Sequence, residues 1–351
     1  MLSTHRFNTL DSFRGLIALS ILALHTPLVL GVPSVLFHHS SLLVQFFFVL
    51  SGFALMHAYG ARLSSALQLG RFLATRSFRV FPPHLFLLGL FLALDWLLPQ
   101  MVGNAPNLFA NLFLLQAWLP GADGLSVNPA TASLSLGFYL SLAFGLVLLA
   151  LPRGRMVACG LLLALILWGL VNGVDGFRRT LFLGVGAFCL GALIYSLYLK
   201  LRLLPLSQRA STTLEITAVL LLVLILDSSY AYRDLFALAM FALALCMFAF
   251  ESGFLSRLLV CSPFRYLGRL AFSLYLSHLF VILALANLAP LVLPQGRSPM
   301  SDALLPLTLL VVFALSALTY HGIERPGIAL GQRLLALART TRAEKAPAVS
   351  R

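Results

Sequence analysis

The chain has 351 residues, 60% of them hydrophobic and only 10% charged, with a formal net charge of +13 and a mean hydropathy of +0.97. A water-soluble domain of this length cannot hide that much apolar surface, so the composition is that of a polytopic membrane protein. The positive excess then belongs in cytoplasmic loops rather than on a nucleic-acid surface, and Cys159, Cys189, Cys246 and Cys261 lack metal-ligand spacing and read as small core residues.

Apolar runs able to cross a bilayer fall near 13–31, 41–60, 80–98, 132–151, 156–173, 180–199, 213–227, 233–250, 271–292 and 303–322. No small-residue cleavage site follows the first, which is read as a span. It opens LDSFRG and carries Arg14 and His25. Eleven helical steps bring those two within about 20° of one direction and about 16 Å apart along the axis. Arg14 suits a positive-inside anchor or a site residue equally. His25, at mid-membrane, reads as a catalytic or proton-handling group, with a hydrogen-bonded structural role as the alternative.

The second run contains QFFFVLSGF. Ser51-Gly52 predicts close helix packing or a kink, and Gln45 suits an interhelical hydrogen bond. The stretch RFLATRSFRVFPPHLF then leads into the third run. Arg76 and Arg79 are helical neighbours with Arg71 nearby, Pro82 and Pro83 are expected to fix the entry to the span, and His84 follows at the boundary. Such a cluster suits either a polyanion held by bidentate phosphate contacts or anionic lipid headgroups.

The segment 107–119 is too short to span and is expected to be re-entrant or interfacial. The surrounding outside segment, 99–131, has no Lys or Arg and is a lid, an acceptor-facing element or a plain loop. The ninth run places Tyr275 and His278 on one side of a helix, for hydrogen bonding or for chemistry. The tenth ends in HGIERPG, where Glu324 beside Arg325 is expected to form a paired charge and a helix stop. The tail from about 328 is basic, with an apolar stripe at first and a polar end.

With ten spans and the N-terminus inside, 20 of the 24 lysines and arginines fall on inside segments and 4 on outside ones. That bias places both termini in the cytoplasm. Counting 107–119 as a span would reverse every later loop and destroy it. The expected architecture is an all-α polytopic transmembrane bundle of about ten spans plus one short re-entrant or interfacial helix. It has a membrane domain over 1–327 and a basic cytoplasmic tail over 328–351.

Taken in order, LDSFRG with its Arg-x10-His pair, FFVLSGF, RSFRVFPP, LGRLAFSLYLSHLFV and ERP resemble the acyltransferase-3 family of integral membrane acyltransferases, over about 8–327. The resemblance implies an O-acyltransferase of the bacterial inner membrane. It would move an acyl group, often acetyl, from cytoplasmic acetyl-CoA or another acyl-CoA to a hydroxyl of an envelope or exported glycan. The family's functional Arg–His pair maps onto Arg14 and His25, and its Arg-x-x-Arg pair onto Arg76 and Arg79.

Arg71, Arg76, Arg79 and His84 are then the expected cofactor-binding residues, with no metal and no nucleic acid. Gln45, Ser51, Tyr139, Tyr275, His278 and Glu324 are further candidates, Ser51 and Tyr139 as oxyanion stabilisers. The pantetheine arm would pass between helices towards His25, acting as general base or transient acyl carrier. Two departures stand out. Gln45 sits where the family often has Asp, and in ATASLSLGFYL Ala132 and Gly137 replace the Trp and Glu of a Trp-Ser-Leu-x-x-Glu motif. A secondary transporter and a non-catalytic homologue acting as a subunit are the alternatives. No Gly-x-Ser-x-Gly element supports a serine esterase.

Overall fold

In a bilayer every backbone N–H and C=O must find its partner within the segment, so apolar runs become helices. The computed structural model describes residues 6–30, 42–97, 107–119, 126–230, 232–292 and 300–344, with no strand among them. In chain order the helices are α1 Asn8–Leu30, α2 Leu43–Tyr59, α3 Ala66–Leu97, α4 Leu108–Leu112, α5 Thr131–Ala150, α6 Arg155–Val171 and α7 Gly176–Leu201. There follow α8 Gln208–Asp227, α9 Arg233–Ala249, α10 Phe254–Leu259, α11 Ser262–Val292 and α12 Met300–Thr319, then a π-helical turn Tyr320–Glu324 and α13 Arg325–Glu344. The described parts of all ten apolar runs fall on this set of helices. Six stretches, in α3, α5, α7, α8, α11 and the continuous α12–α13 rod, are long and apolar enough to cross a membrane. Helices α2 and α6 are apolar but shorter. At five residues, α4 is too short to cross.

Glycines set the closest helix contacts. A Cβ on Gly15 of α1 would lie 2.7 Å from the backbone nitrogen of Gly268 on α11, and one on Gly268 would collide with the Asp11 carbonyl. Likewise a Cβ on Gly52 of α2 would strike the Phe188 carbonyl of α7, and one on Gly191 the Val49 carbonyl. The Ser51-Gly52 pair therefore marks close packing, not a kink, because only a missing side chain lets two backbones approach this far. Around these contacts Phe46, Phe53, Phe241 and Phe248 are fully buried. Leu161, Leu165 and Trp168 of α6 face outward.

Two expectations change. Pro82 and Pro83 lie inside α3, not at its entry. Pro82 removes the hydrogen bond to the Phe78 carbonyl, four residues back, and that carbonyl and the Pro82 ring lie against Gly327, where a Cβ would be 2.9 Å from each. Packing against α13 supports the helix where its own ladder is interrupted. Glu324 and Arg325 do not stop a helix either. The wider π-helical turn ends at Glu324, and α13 begins with Pro326 at its second position, where a missing N–H costs little. Helix α13 therefore runs across residue 328 as far as Glu344. The end of the tail, 345–351, and residues 98–106 and 120–125 lie outside the described residues.

Candidate functional site

The site is framed by α1, α2, α3, α5 and α11. Gly15 and Gly268 bring α1 and α11 into contact at one level. His25 follows Gly15 by ten residues, and His278 follows Gly268 by ten, so both histidines rise about 15 Å above that contact. Their ring centroids are 5.1 Å apart. Each imidazole is oriented by its own helix: Nδ1 of His25 lies 2.9 Å from the Ile21 carbonyl, and Nδ1 of His278 2.7 Å from the Tyr275 carbonyl. A carbonyl oxygen only accepts, so each Nδ1 carries the proton and each Nε2 presents a lone pair. The Nε2 of His278 is buried without a hydrogen-bond partner among the described residues. Half-buried His25 opens into a cavity of about 260 Å³, shared with His278, Ala132 and Thr180. A basic nitrogen beside a largely apolar space is what a general base or an acyl carrier needs.

A second cavity, of about 360 Å³, is lined by Arg14, Arg76, Arg79, Ser51 and Tyr59 among others. Phe48, Ser133 and Tyr275 line both cavities. The two spaces thus stand in series along α1, with arginines around one and histidines around the other.

The three guanidiniums are not equivalent. Arg14 lies 3.8 Å from the Asp11 carboxylate and donates to the Gly268 carbonyl at 3.4 Å. Arg79 pairs with Glu324 at 3.6 Å, whose carboxylate also accepts from Ser273 at 2.8 Å. Arg76 reaches only the Gly137 carbonyl, at 3.4 Å, and its Nε has no partner among the described residues. Gly137 has no side chain to supply a counter-charge, so Arg76 is left open to an anion entering the cavity.

The other candidates lie elsewhere. Arg71 and His84 are not among the lining residues of either cavity. His84 is buried and donates from Nε2 to the Asn111 carbonyl at 2.7 Å, which ties α3 to the segment that contains α4. Gln45 is buried, with its Oε1 unpartnered among the described residues. Tyr139 gives its hydroxyl proton to the Phe113 carbonyl at 2.9 Å, which turns it away from both cavities.

Sequence reasoning passed over Ser133 and a set of buried amides in and beyond α4. Asn111 Oδ1 accepts from Gln116 at 3.2 Å and from the Val127 N–H at 3.0 Å. Asn128 donates to the Leu276 carbonyl of α11 at 2.9 Å. These bonds hold Ala117, Pro129 and Ala130 in the wall of the histidine cavity, so the described part of 99–131 is a built wall and not a plain loop. The available signal was Asn and Gln within apolar text, where buried amides require partners.

Comparison with known proteins adds three findings. A family model described as an acyltransferase domain matches residues 7–321. A Rhizobium radiobacter protein named protein 2 in picA locus is 39% identical over 89 residues. That stretch is 25% of this chain and 45% of that protein, so the match spans less than half of the relative's length. No solved structure matches the chain.

Proposed function

The chain belongs to this family of acyltransferase domains, and from that premise we propose that it moves an acyl group, acetyl in the first instance, from a cytoplasmic acyl-CoA to a hydroxyl of an envelope or exported glycan. Its setting in this reading is a bacterial inner membrane, with ten spans and both termini inside. The observation that carries the reading is the pair of cavities in series, one lined by Arg14, Arg76 and Arg79 and the other by His25 and His278.

In this mechanism the coenzyme's phosphates dock among the guanidiniums, chiefly at Arg76, which has no carboxylate within ion-pair distance among the described residues. The pantetheine arm passes Phe48 and Tyr275. The thioester then stands beside the lone pair on His25 Nε2, which takes the proton of the attacking hydroxyl. General-base help of this kind is worth about 10² to 10⁴ in rate. The acceptor enters past Thr180 and the wall formed by Ala117 and Pro129.

The test reconstitutes the purified protein in liposomes with acetyl-CoA and envelope polysaccharide from cells that lack the protein and follows free thiol, alongside mass spectrometry of envelope glycans from cells with and without the protein. Wild type is expected to release thiol and to restore an acyl mass shift that His25→Ala does not. Undiminished transfer by His25→Ala removes that residue from the mechanism. Substrate movement across the bilayer without thiol release would make the protein a transporter.

A further inference from the structure

The two cavities meet at a pair of hydroxyls, Ser133 on α5 and Tyr275 on α11, with their oxygens 2.6 Å apart. The Ser133 hydroxyl also lies 3.0 Å from the Ala130 carbonyl. A serine hydroxyl has one proton to give. While that proton goes to Ala130, Tyr275 must be the donor of the 2.6 Å bond. When Ser133 turns its proton onto the phenol oxygen instead, the proton of Tyr275 is free to point into the cavity. The pair is therefore a hydroxyl donor with two settings, located where an arm coming from the arginines arrives within reach of His25.

That place matters because acyl transfer from a thioester builds negative charge on the carbonyl oxygen, and the charge needs a donor already in position. Donors at this junction are few. Both histidines give Nδ1–H to backbone carbonyls and offer only acceptors at Nε2. Phe48, the third residue shared by the two cavities, has no polar atom. Ser51 borders the arginine cavity alone, and Thr180 the histidine cavity alone. Tyr139 is committed to the Phe113 carbonyl.

We infer that Tyr275, backed by Ser133, is the oxyanion donor of the acyl-transfer step, an inference that rests on the acyltransferase reading above. The acceptor oxygen bonds to the thioester carbon while its proton passes to His25 Nε2. The carbonyl electron pair moves onto oxygen, where the Tyr275 hydroxyl meets it, and Ser133 donates to the phenol oxygen behind. Collapse breaks the C–S bond, and the departing thiolate recovers the proton from His25, leaving an ester and free coenzyme A.

The test uses the full-length protein in nanodiscs with acetyl-CoA and envelope polysaccharide extracted from cells that lack it. Tyr275→Phe keeps the ring contacts to Phe47 and His278, with centroids 5.8 Å and 5.7 Å away. It is expected to lower kcat by about 10² to 10³ with little change in KM for acetyl-CoA. Ser133→Ala is expected to lower kcat in the same way by roughly tenfold, since it removes the polarising partner. Added to Tyr275→Phe, Ser133→Ala should cost nothing more, because the two act as one unit. If Tyr275→Phe fails to fold, the Ser133→Ala split between kcat and KM decides alone.

Wild-type kcat in Tyr275→Phe, a rise in KM without a fall in kcat, or independent, multiplying effects of the two substitutions would each overturn the inference. An inactive His25→Ala beside a fully active Tyr275→Phe sinks this inference and spares the acyltransferase reading. A fully active His25→Ala removes the base and spares the acyltransferase reading, whereas a wild-type protein that releases no thiol sinks that reading first.

Discussion

Three arginines share one cavity, and what each is tied to decides what its loss does. Arg79 compensates Glu324, which is 1% exposed. Breaking a buried pair by removing one partner costs about 3–5 kcal/mol, and the figure here is smaller because Arg79 is 43% exposed and partly screened by water. Arg79→Ala should therefore lower the thermal unfolding temperature of the detergent-solubilised protein, and Arg79→Ala with Glu324→Gln should recover part of that loss. Arg76 compensates no carboxylate among the described residues, so Arg76→Ala should leave the unfolding temperature nearly unchanged. Its effect belongs to the donor: a charge-assisted hydrogen bond is worth about 1.5–3 kcal/mol, which predicts a rise of roughly 10- to 100-fold in KM for acyl-CoA with a much smaller change in kcat. Equal loss of stability in both variants, with KM unmoved in Arg76→Ala, would take the coenzyme's phosphates away from this cavity.

At the scale of helices, the site is positioned by the α1–α11 contact. Both helices rise from Gly15 and Gly268 in parallel, so ten residues of either one deliver His25 and His278 to the same height. Gly268→Ala puts a methyl group against the Asp11 carbonyl, a backbone atom that cannot swing aside. Overpacking of this kind costs about 1–3 kcal/mol, so the variant should melt earlier and lose acyl transfer together. A Gly268→Ala protein of wild-type stability and rate would show that this contact does not position the histidines. This level was only partly legible in the sequence. The apolar runs revealed the helices, because a bilayer permits little else, and the eleven-residue interval placed Arg14 and His25 on one face. The pairing of His25 with His278 was not legible, since it depends on two glycines in helices more than 240 residues apart that carry no side-chain signal. The length of α3 was hidden for another reason: Pro82-Pro83 reads locally as a boundary, and only the packing of Gly327 against Phe78 and Pro82 carries the helix through it.

For the whole molecule, orientation decides whether the arginine cavity faces the compartment that holds acyl-CoA. The ten-span reading leaves Cys261 on the cytoplasmic side, between α10 and α11, and Ser229 outside, between α8 and α9. Treating 107–119 as a further span would exchange them, and the five-residue α4 argues against that span because five helical residues rise only about 7.5 Å. The chain carries its own reporter, since Cys159, Cys189 and Cys246 are buried while Cys261 is exposed. A membrane-impermeant maleimide applied to intact cells should therefore leave the wild-type protein unmodified and should label Cys261 once the membrane is opened. The Ser229→Cys variant, at an exposed position, should be labelled in intact cells without permeabilisation. Labelling of wild type from outside, with Ser229→Cys adding nothing until lysis, would put the start of α11 outside and, with α1 packed against α11, reverse the orientation of both. The arginine and histidine cavities are built from α1, α2, α3, α5 and α11 packed together, so such a reversal would turn the arginine cavity away from the cytoplasm, and the labelling result bears on topology and mechanism at once.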